Sequence, residues 1–278
     1  MNQDIIWTSP KKSYTALTEN QEILFDLIQQ NIVTIASGKP GTGKTFCAVL
    51  KALQLIKAEP NNYKKLILIR PVIESSSSLG FLPGTLLEKL GPYLTPLYDI
   101  ILELTGFDFE KHQKKTEEKS EETSTNKKPA QNLRPLSKSQ QLQKRKILNR
   151  KAGFEDFEYP EKDNRIDRID WSKKVEVKCL SYLRGTTISN SIIILDEAQN
   201  ATIKELKLLL TRIGKNTKVI LCGDVYQNDI NKNDSSLEWA VENLTKVDKV
   251  DFIEFDSNDI VRSGIVRDLL EVFETHGF

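Results

Sequence analysis

Short apolar runs alternate along the chain with segments in which apolar residues recur at helical spacing. Six of the runs predict β-strands: Ile32–Ala36, Lys65–Ile69, Val175–Cys179, Ile192–Leu195, Val219–Cys222 and Phe252–Phe255. Several are continuous in valine, isoleucine and leucine, as is typical of strands that are buried on both faces. Strands that alternate with helices form parallel sheets with right-handed crossovers. The pattern therefore predicts an α/β fold, with a mostly parallel sheet and helices on both of its faces.

Polar pairs mark the starts of two of the intervening helices. Thr202 with Glu205, and Ser235 with Glu238, have the spacing of a capping box, in which each side chain bonds the backbone N–H of the other residue. Gly214 is predicted to end the first of these helices as its C′ residue.

One stretch interrupts this alternation. Lys111–Lys128 contains no aliphatic or aromatic residue, and Lys138–Lys151 carries six basic residues and no acid. Such a composition buries too little apolar surface to offset the entropy of ordering. We expect a largely disordered, charged insertion at about 111–165 in a single domain spanning 17–278, which follows an N-terminal extension, residues 1–16. The basic run is either a solvated loop or a contact for RNA or DNA.

Composition narrows the function classes. Of the 278 residues, 38% are hydrophobic, and the net charge of +1 excludes a global attraction to nucleic acid or anionic lipid. The three cysteines, Cys47, Cys179 and Cys222, lie in apolar surroundings without a C-x-x-C pair, so we expect core thiols. No apolar run is long enough to span a membrane, and the start lacks a signal sequence, so a cytoplasmic location without membrane partners is expected.

The strongest chemical signal is a glycine-rich loop between the first predicted strand and a helix. Its sequence, Gly38-Lys39-Pro40-Gly41-Thr42-Gly43-Lys44-Thr45, matches G-x-x-x-x-G-K-[ST] at every fixed position. Glycines allow the backbone N–H groups to converge on phosphate oxygens. We expect all eight residues to bind a nucleoside triphosphate, with Lys44 on the β- and γ-phosphates and the Thr45 hydroxyl on Mg²⁺.

Two further strands end in polar residues. Asp196 and Glu197 follow the fourth predicted strand; we expect Asp196 to hold Mg²⁺ beside Thr45 and Glu197 to act as general base towards water. The alternative is that the two acids only cap the next helix. Asp224 and Gln227 follow the fifth strand, where ligands of open α/β sheets bind. Gln227 is predicted to sense the γ-phosphate.

The preference for adenine over guanine is predicted from a residue upstream of the glycine-rich loop. Gln21 opens the first helix, and an amide at this place can read adenine N6 and N7 together, although an ordinary helix-surface glutamine is the alternative. Asn231-Lys232-Asn233-Asp234 spells the guanine-reading motif N-K-x-D, but it lies in a polar loop well beyond the end of a buried strand. We therefore expect ATP rather than GTP.

Several blocks in order resemble the PhoH-like family of P-loop ATPases. They are the loop Gly38–Thr45, Arg70-Pro71 with Leu79–Gly84, Tyr93–Asp99, Tyr182–Gly185, Ile194–Asn200, Leu210–Gly214 and Gly223–Gln227. The resemblance implies a RecA-like core related to superfamily 1 helicases, with ATP and Mg²⁺ as ligands and a link to RNA metabolism. Two blocks differ from the family: R-G-R-T reads Arg184-Gly185-Thr186-Thr187, and V-V-R-H reads Ile260-Val261-Arg262-Ser263. Among Arg70, Arg184, Arg212 and Arg262, the resemblance favours Arg262 as the arginine finger.

These features together predict Mg²⁺-dependent ATP hydrolysis that is coupled to binding of RNA or single-stranded DNA. Outside the insertion the chain has room for about one RecA-like domain, whereas a superfamily 1 motor places ATP between two. We therefore expect a homo-oligomer, for example a ring, with an arginine supplied in trans. A nucleotide-switched binding module with vestigial hydrolysis remains an alternative. A small-molecule kinase is a further alternative, against which Glu197 as a water activator argues.

Overall fold

The computed structural model describes residues 7–8, 13–71, 86–108, 169–227, 229–231 and 234–261. The strands are β1 (Trp7–Thr8), β2 (Ser13–Tyr14), β3 (Val33–Gly38), β4 (Lys65–Ile69), β5 (Val175–Lys178), β6 (Ser191–Leu195), β7 (Thr217–Gly223) and β8 (Val250–Phe255). The helices are α1 (Glu19–Gln30), α2 (Lys44–Ala58), α3 (Leu86–Thr105), α4 (Ile203–Leu210) and α5 (Ser236–Leu244).

Six strands form one sheet in the order β5-β4-β6-β7-β3-β8, and every neighbouring pair is parallel. These are the six strands that the apolar runs predict, with ends that differ by a few residues. The central strands β6 and β7 are buried along their whole length, which explains their continuous apolar sequence. The short antiparallel pair β1–β2 was not predicted.

Helices cover both faces of the sheet. On one face, α4 and α5 share an apolar cluster with alternate strand residues, among them Ile35, Ile193 and Leu221. The buried residues of α2 lie outside that cluster, although α2 contacts β4, β6 and β7. Because successive strand residues point to opposite faces, the described residues form three layers, helix, sheet and helix, as predicted.

The predicted helix ends are confirmed in part. Thr202 and Glu205 form the capping box that begins α4. Ser235 precedes α5, but its hydroxyl donates to the carbonyl oxygen of Gln199 at 3.0 Å instead of capping, so the second capping box was wrong. The assignment of Gly214 as a C′ residue was also wrong, because α4 ends at Leu210. A Cβ on Gly214 would lie 2.3 Å from the Ser189 hydroxyl oxygen, so close packing requires this glycine.

All described helices and strands belong to one compact unit, which comprises Met1–His112 and Asp170–Phe278. The predicted insertion at about 111–165 lies outside the described residues. Among the helices that the structure describes, none has both the length and the apolar character needed to cross a bilayer. Cys47 and Cys222 are buried free thiols, as predicted, and Cys179 is only partly buried.

Candidate nucleotide-binding site

The glycine-rich loop joins β3 to α2, with Gly43 as the N-cap of the helix. Gly38, Gly41 and Gly43 have φ values of 143°, 84° and 81°, a region in which side chains are strained. Gly38 also has no room for a side chain, because a Cβ there would lie 2.3 Å from the carbonyl oxygen of Phe255 in β8. The glycines are therefore required by the shape of the loop and by the strand packed against it.

Lys44 lies inside this loop with its side chain buried. Its Nζ donates to the carbonyl oxygens of Gly38 at 2.5 Å and Lys39 at 2.6 Å, and to the Thr42 hydroxyl at 3.1 Å. Burial lowers the pKa of Lys44, and Cys222 and Asp224 are the leading groups that oppose this effect. The loop thus wraps around an ammonium group, which suits a site for phosphate oxygens.

The predicted metal ligands come together. The Thr45 hydroxyl, at the start of α2, donates to Asp196 Oδ1 at 2.6 Å, although the two residues follow different strands. Asp196 is buried, which raises its pKa, while the Thr45 hydrogen bond and the nearby Arg70 act in the opposite direction. A hydroxyl and a carboxylate are oxygen donors of the kind that Mg²⁺ prefers, so the pair fits this ion.

Glu197 follows Asp196 directly and has a left-handed backbone conformation, with φ 52°. Its Oε1 accepts from Arg70 Nη2 at 3.1 Å, and its Oε2 accepts from Gln199 Nε2 at 2.7 Å. Arg70 Nη1 also lies 3.5 Å from Asp196 Oδ2. Arg70 therefore bridges the predicted Mg²⁺ ligand, Asp196, and the predicted general base, Glu197, from the end of β4.

Asp224 and Gln227 lie in the turn after β7, as predicted, but in different surroundings. Asp224 is buried and accepts from the Tyr226 backbone N–H at 2.9 Å, and burial raises its pKa. Gln227 is exposed and lines a cleft of about 560 Å³ that also contacts Arg70, Tyr93 and Glu197. Gln227 and Glu197 therefore both line this cleft.

Gln21 is buried beneath the loop. Its Nε2 donates to the carbonyl oxygen of Thr42 at 3.1 Å, and its Oε1 accepts from the Leu17 N–H at 2.8 Å. Both ends of the amide are thus engaged by backbone groups, and its predicted contact with adenine stays a prediction.

The four arginines that the sequence offers as candidates for the arginine finger have different surroundings or lie outside the described residues. Arg262 lies outside the described residues. Arg184 is exposed, and Arg212 Nη2 donates to the Thr211 hydroxyl at 3.2 Å. Among the three arginine candidates that the structure describes, Arg70 contacts the acids after β6.

The sequence assigned no role to Gln199 and did not predict that residues after β8 contact the glycine-rich loop. Gln199 stands in the Ile194–Asn200 block, so its place shortly after two acids was the available signal. The segment after β8 supports the loop: the Val261 N–H donates to the carbonyl oxygen of Gly41 at 3.2 Å, and Lys39 Nζ donates to the Ser257 hydroxyl at 2.9 Å. No local pattern could reveal these contacts, because they join residues more than two hundred positions apart.

Known proteins match this chain over most of its length. A family model described as PhoH-like protein matches residues 14–274. The PhoH-like protein of Bacillus subtilis (strain 168) is 32% identical over 273 residues, covering 98% of this chain and 67% of the relative. Protein PhoH of Escherichia coli (strain K12) is 29% identical over 274 residues, covering 98% and 61%. The chain thus spans about three fifths to two thirds of the length of these two relatives.

Solved structures resemble the chain more distantly. The large terminase of a thermophilic bacteriophage, in complex with ADP, has 13% identity and a TM-score of 0.43, covering 91% of this chain and 49% of that one. The DUF1998 helicase MrfA bound to DNA has 14% identity and a TM-score of 0.43, covering 93% of this chain and 28% of that one.

Proposed function

Because the chain belongs to the PhoH-like protein family, we propose that it hydrolyses ATP in a Mg²⁺-dependent reaction at the carboxyl edge of its sheet. The observation that carries this proposal is the 2.6 Å hydrogen bond from the Thr45 hydroxyl to Asp196, directly beside the loop that surrounds Lys44. A loop for phosphates, a pair of oxygen ligands and an adjacent acid are the parts that phosphoryl transfer to water requires.

Each of these residues has a distinct task in the proposal. The backbone N–H groups of Gly38–Thr45 and the ammonium of Lys44 bind the phosphates, and Thr45 and Asp196 hold Mg²⁺. When bound, Mg²⁺ supplies positive charge near the phosphate oxygens. Glu197 accepts a proton from the attacking water, which then forms the new bond to the γ-phosphorus as the bond to ADP breaks. Gln227 senses the γ-phosphate.

The main test is phosphate release by the purified chain. We expect turnover with Mg²⁺, its loss when the metal is chelated, and severely weakened nucleotide binding in Lys44→Ala. Lys57→Ala provides a matched control, because this exposed lysine lies in the last turn of the same helix. Undiminished turnover in Lys44→Ala would contradict the assignment of the loop.

We also propose that hydrolysis is coupled to RNA or single-stranded DNA, in a homo-oligomer such as a ring. The support is the basic run Lys138–Lys151, together with a single six-stranded sheet among the described residues, which corresponds to one half of a two-domain motor site. Single-stranded RNA should stimulate turnover by the intact chain and not by a variant lacking 111–165. Sedimentation of a fully active monomer would exclude the oligomer.

A nucleotide-switched binding module is the second candidate. The observation that favours it is the Arg70–Glu197 ion pair, because a carboxylate oxygen that already accepts from a guanidinium is occupied and is not open to an attacking water. Slow turnover together with tight, ATP-dependent binding of a nucleic acid would favour the switch, whereas rapid turnover stimulated by RNA would exclude it.

A further inference from the structure

We propose that Gln199 is a positioning residue that fixes the carboxylate of Glu197, and that residue 223 is glycine because only glycine leaves room for the Gln199 amide. The inference rests on the proposed function, since Glu197 is the base of the same hydrolytic site. It adds a residue whose side chain bonds the base and sets where the base stands.

The orientation of the Gln199 amide follows from its partners. One end meets the backbone N–H of Asp224 at 3.1 Å, and because an N–H can only donate, that end must be the oxygen, Oε1. The other end is therefore the amino group, which donates to Glu197 Oε2 at 2.7 Å. Gln199 is only 1% exposed, so water does not compete for either bond.

The turn that carries Gln199 is itself held in place. The Ser235 hydroxyl donates to the carbonyl oxygen of Gln199 at 3.0 Å, and the Ser236 hydroxyl donates to that of Ala198 at 2.7 Å. Both serines stand at the start of α5. The backbone of this turn is thus held by α5, and the side-chain oxygen of Gln199 is held by the N–H that follows β7. The amino group of the same side chain can therefore fix the position of Glu197.

The two oxygens of Glu197 are held from different sides by unlike groups. Arg70 is charged, partly exposed and shared with Asp196. Gln199 is neutral and buried, so salt weakens its hydrogen bond less than it weakens the ion pair of Arg70. The amide is therefore the partner of Glu197 that salt affects least.

Gly223 supplies the second observation. A Cβ added at this position would lie 2.2 Å from Gln199 Oε1 and 2.8 Å from Leu237 Cδ2. The φ of Gly223 does not lie in the positive region that favours glycine, so alanine can adopt the same backbone conformation. A side chain at position 223 is therefore excluded by lack of space and not by backbone strain. The atom that it would meet first belongs to the Gln199 amide, which orients Glu197.

The test measures kcat for ATP hydrolysis and the Kd of a non-hydrolysable ATP analogue for Gln199→Ala, Gly223→Ala and the double variant. Loss of a side chain that orients a catalytic group typically costs about 10- to 100-fold in activity. We expect that loss in kcat for each single variant, with the analogue Kd unchanged within about twofold. The double variant should be no slower than Gln199→Ala, because removing the amide makes room for the new methyl group.

Two further variants distinguish positioning from packing. Gln199→Glu keeps the size of the side chain but presents a carboxylate to Glu197, so kcat should fall at least as far as in Gln199→Ala. Asn243→Ala is the control, because it also removes a side-chain amide, one that bonds the Trp239 carbonyl oxygen within α5, and it should retain the kcat of the unmodified chain. If Gly223→Ala unfolds because of Leu237, the Gln199 variants carry the test alone.

Each outcome decides a specific question. An unmodified chain that releases no phosphate contradicts the proposed function itself. An active chain whose Gln199→Ala or Gln199→Glu variant keeps its kcat overturns this inference alone. A loss of kcat that is matched by an equal loss of analogue binding also overturns it, because Gln199 would then act through the loop and not through Glu197.

Discussion

At the scale of single residues, Gln21 supports the glycine-rich loop by a hydrogen bond, whereas the sequence predicted that it contacts the adenine of a bound nucleotide. Its amide bonds the Thr42 carbonyl and the Leu17 N–H, and a Cβ on Gly43 would lie 3.0 Å from its nitrogen. Each end of the amide keeps one further hydrogen-bonding position, an N–H and an oxygen lone pair, for which adenine is the predicted partner. The described contacts therefore tie Gln21 to the shape of the loop.

Gln21→Leu keeps the approximate size of the side chain and removes both hydrogen bonds. Because the bond to the loop, that with the Thr42 carbonyl, contributes about 0.5–1.5 kcal/mol, we expect Kd to rise about 2- to 13-fold for ATP and GTP alike. Fluorescence titration with both nucleotides checks this. A selective loss of ATP affinity would instead support the reading of adenine by Gln21.

Gly38→Ala tests the closest approach in the loop. A methyl group there would meet the Phe255 carbonyl oxygen at 2.3 Å, at a φ that alanine rarely adopts. Strain of this kind costs about 1–3 kcal/mol, so we expect a lower urea midpoint. Ala58→Gly, at the last residue of α2, is a mild control; a larger loss of stability there than in Gly38→Ala would contradict the packing argument.

Motifs with fixed spacing predicted which side chains of the site lie together, and the roles of those side chains stay predictions. Thr45 and Asp196 were predicted as a pair because each follows a buried strand in a recognisable motif, and parallel strands bring those ends to one edge. The contacts of Gln199 with Asp224, and of Lys39 with Ser257, were not predictable. They depend on how distant segments pack, which no local pattern reports.

At the scale of elements, apolar runs located all six strands of the sheet because burial on both faces imposes continuous hydrophobicity. Helix ends were less predictable, since a serine can use its hydroxyl in several ways. Thr202 caps α4, whereas Ser235 bonds a carbonyl oxygen of a neighbouring turn. The β1–β2 pair is too short, at two residues a strand, to leave a periodic signal.

Thr202→Ala tests the capping box of α4. Thr202 Oγ1 accepts from the Glu205 N–H at 3.2 Å, and the Glu205 carboxylate accepts from the Thr202 N–H at 2.8 Å. Loss of such a cap costs about 1 kcal/mol, which thermal or urea unfolding will detect. Lys204→Ala, in the exposed part of the same turn, should stay within about 0.5 kcal/mol. Equal effects would indicate that the cap is dispensable.

At the scale of the whole molecule, the site unites parts that are far apart in the sequence. The loop follows β3, the acids follow β6, the Asp224 turn follows β7, and the segment after β8 supports the loop from the other side. A ligand that bridges these parts should stabilise the entire unit, because it binds only when they are assembled.

A Mg²⁺–ATP analogue should therefore raise the melting temperature of the intact chain. At a free concentration 100 times Kd, binding contributes about 2.7 kcal/mol of stability. Lys44→Ala should show no such shift, and omission of Mg²⁺ should reduce it. An equal shift in Lys44→Ala, measured by scanning calorimetry, would show that the analogue binds elsewhere.

The central claim is that this edge of the sheet holds Mg²⁺–ATP and that Glu197 activates the water that cleaves it. A single-turnover experiment with protein in excess over labelled ATP separates binding from cleavage most directly. The account predicts that Glu197→Gln binds ATP as tightly as the unmodified chain but cleaves it about 10²- to 10⁴-fold more slowly. Cleavage at an equal rate by both proteins would contradict it.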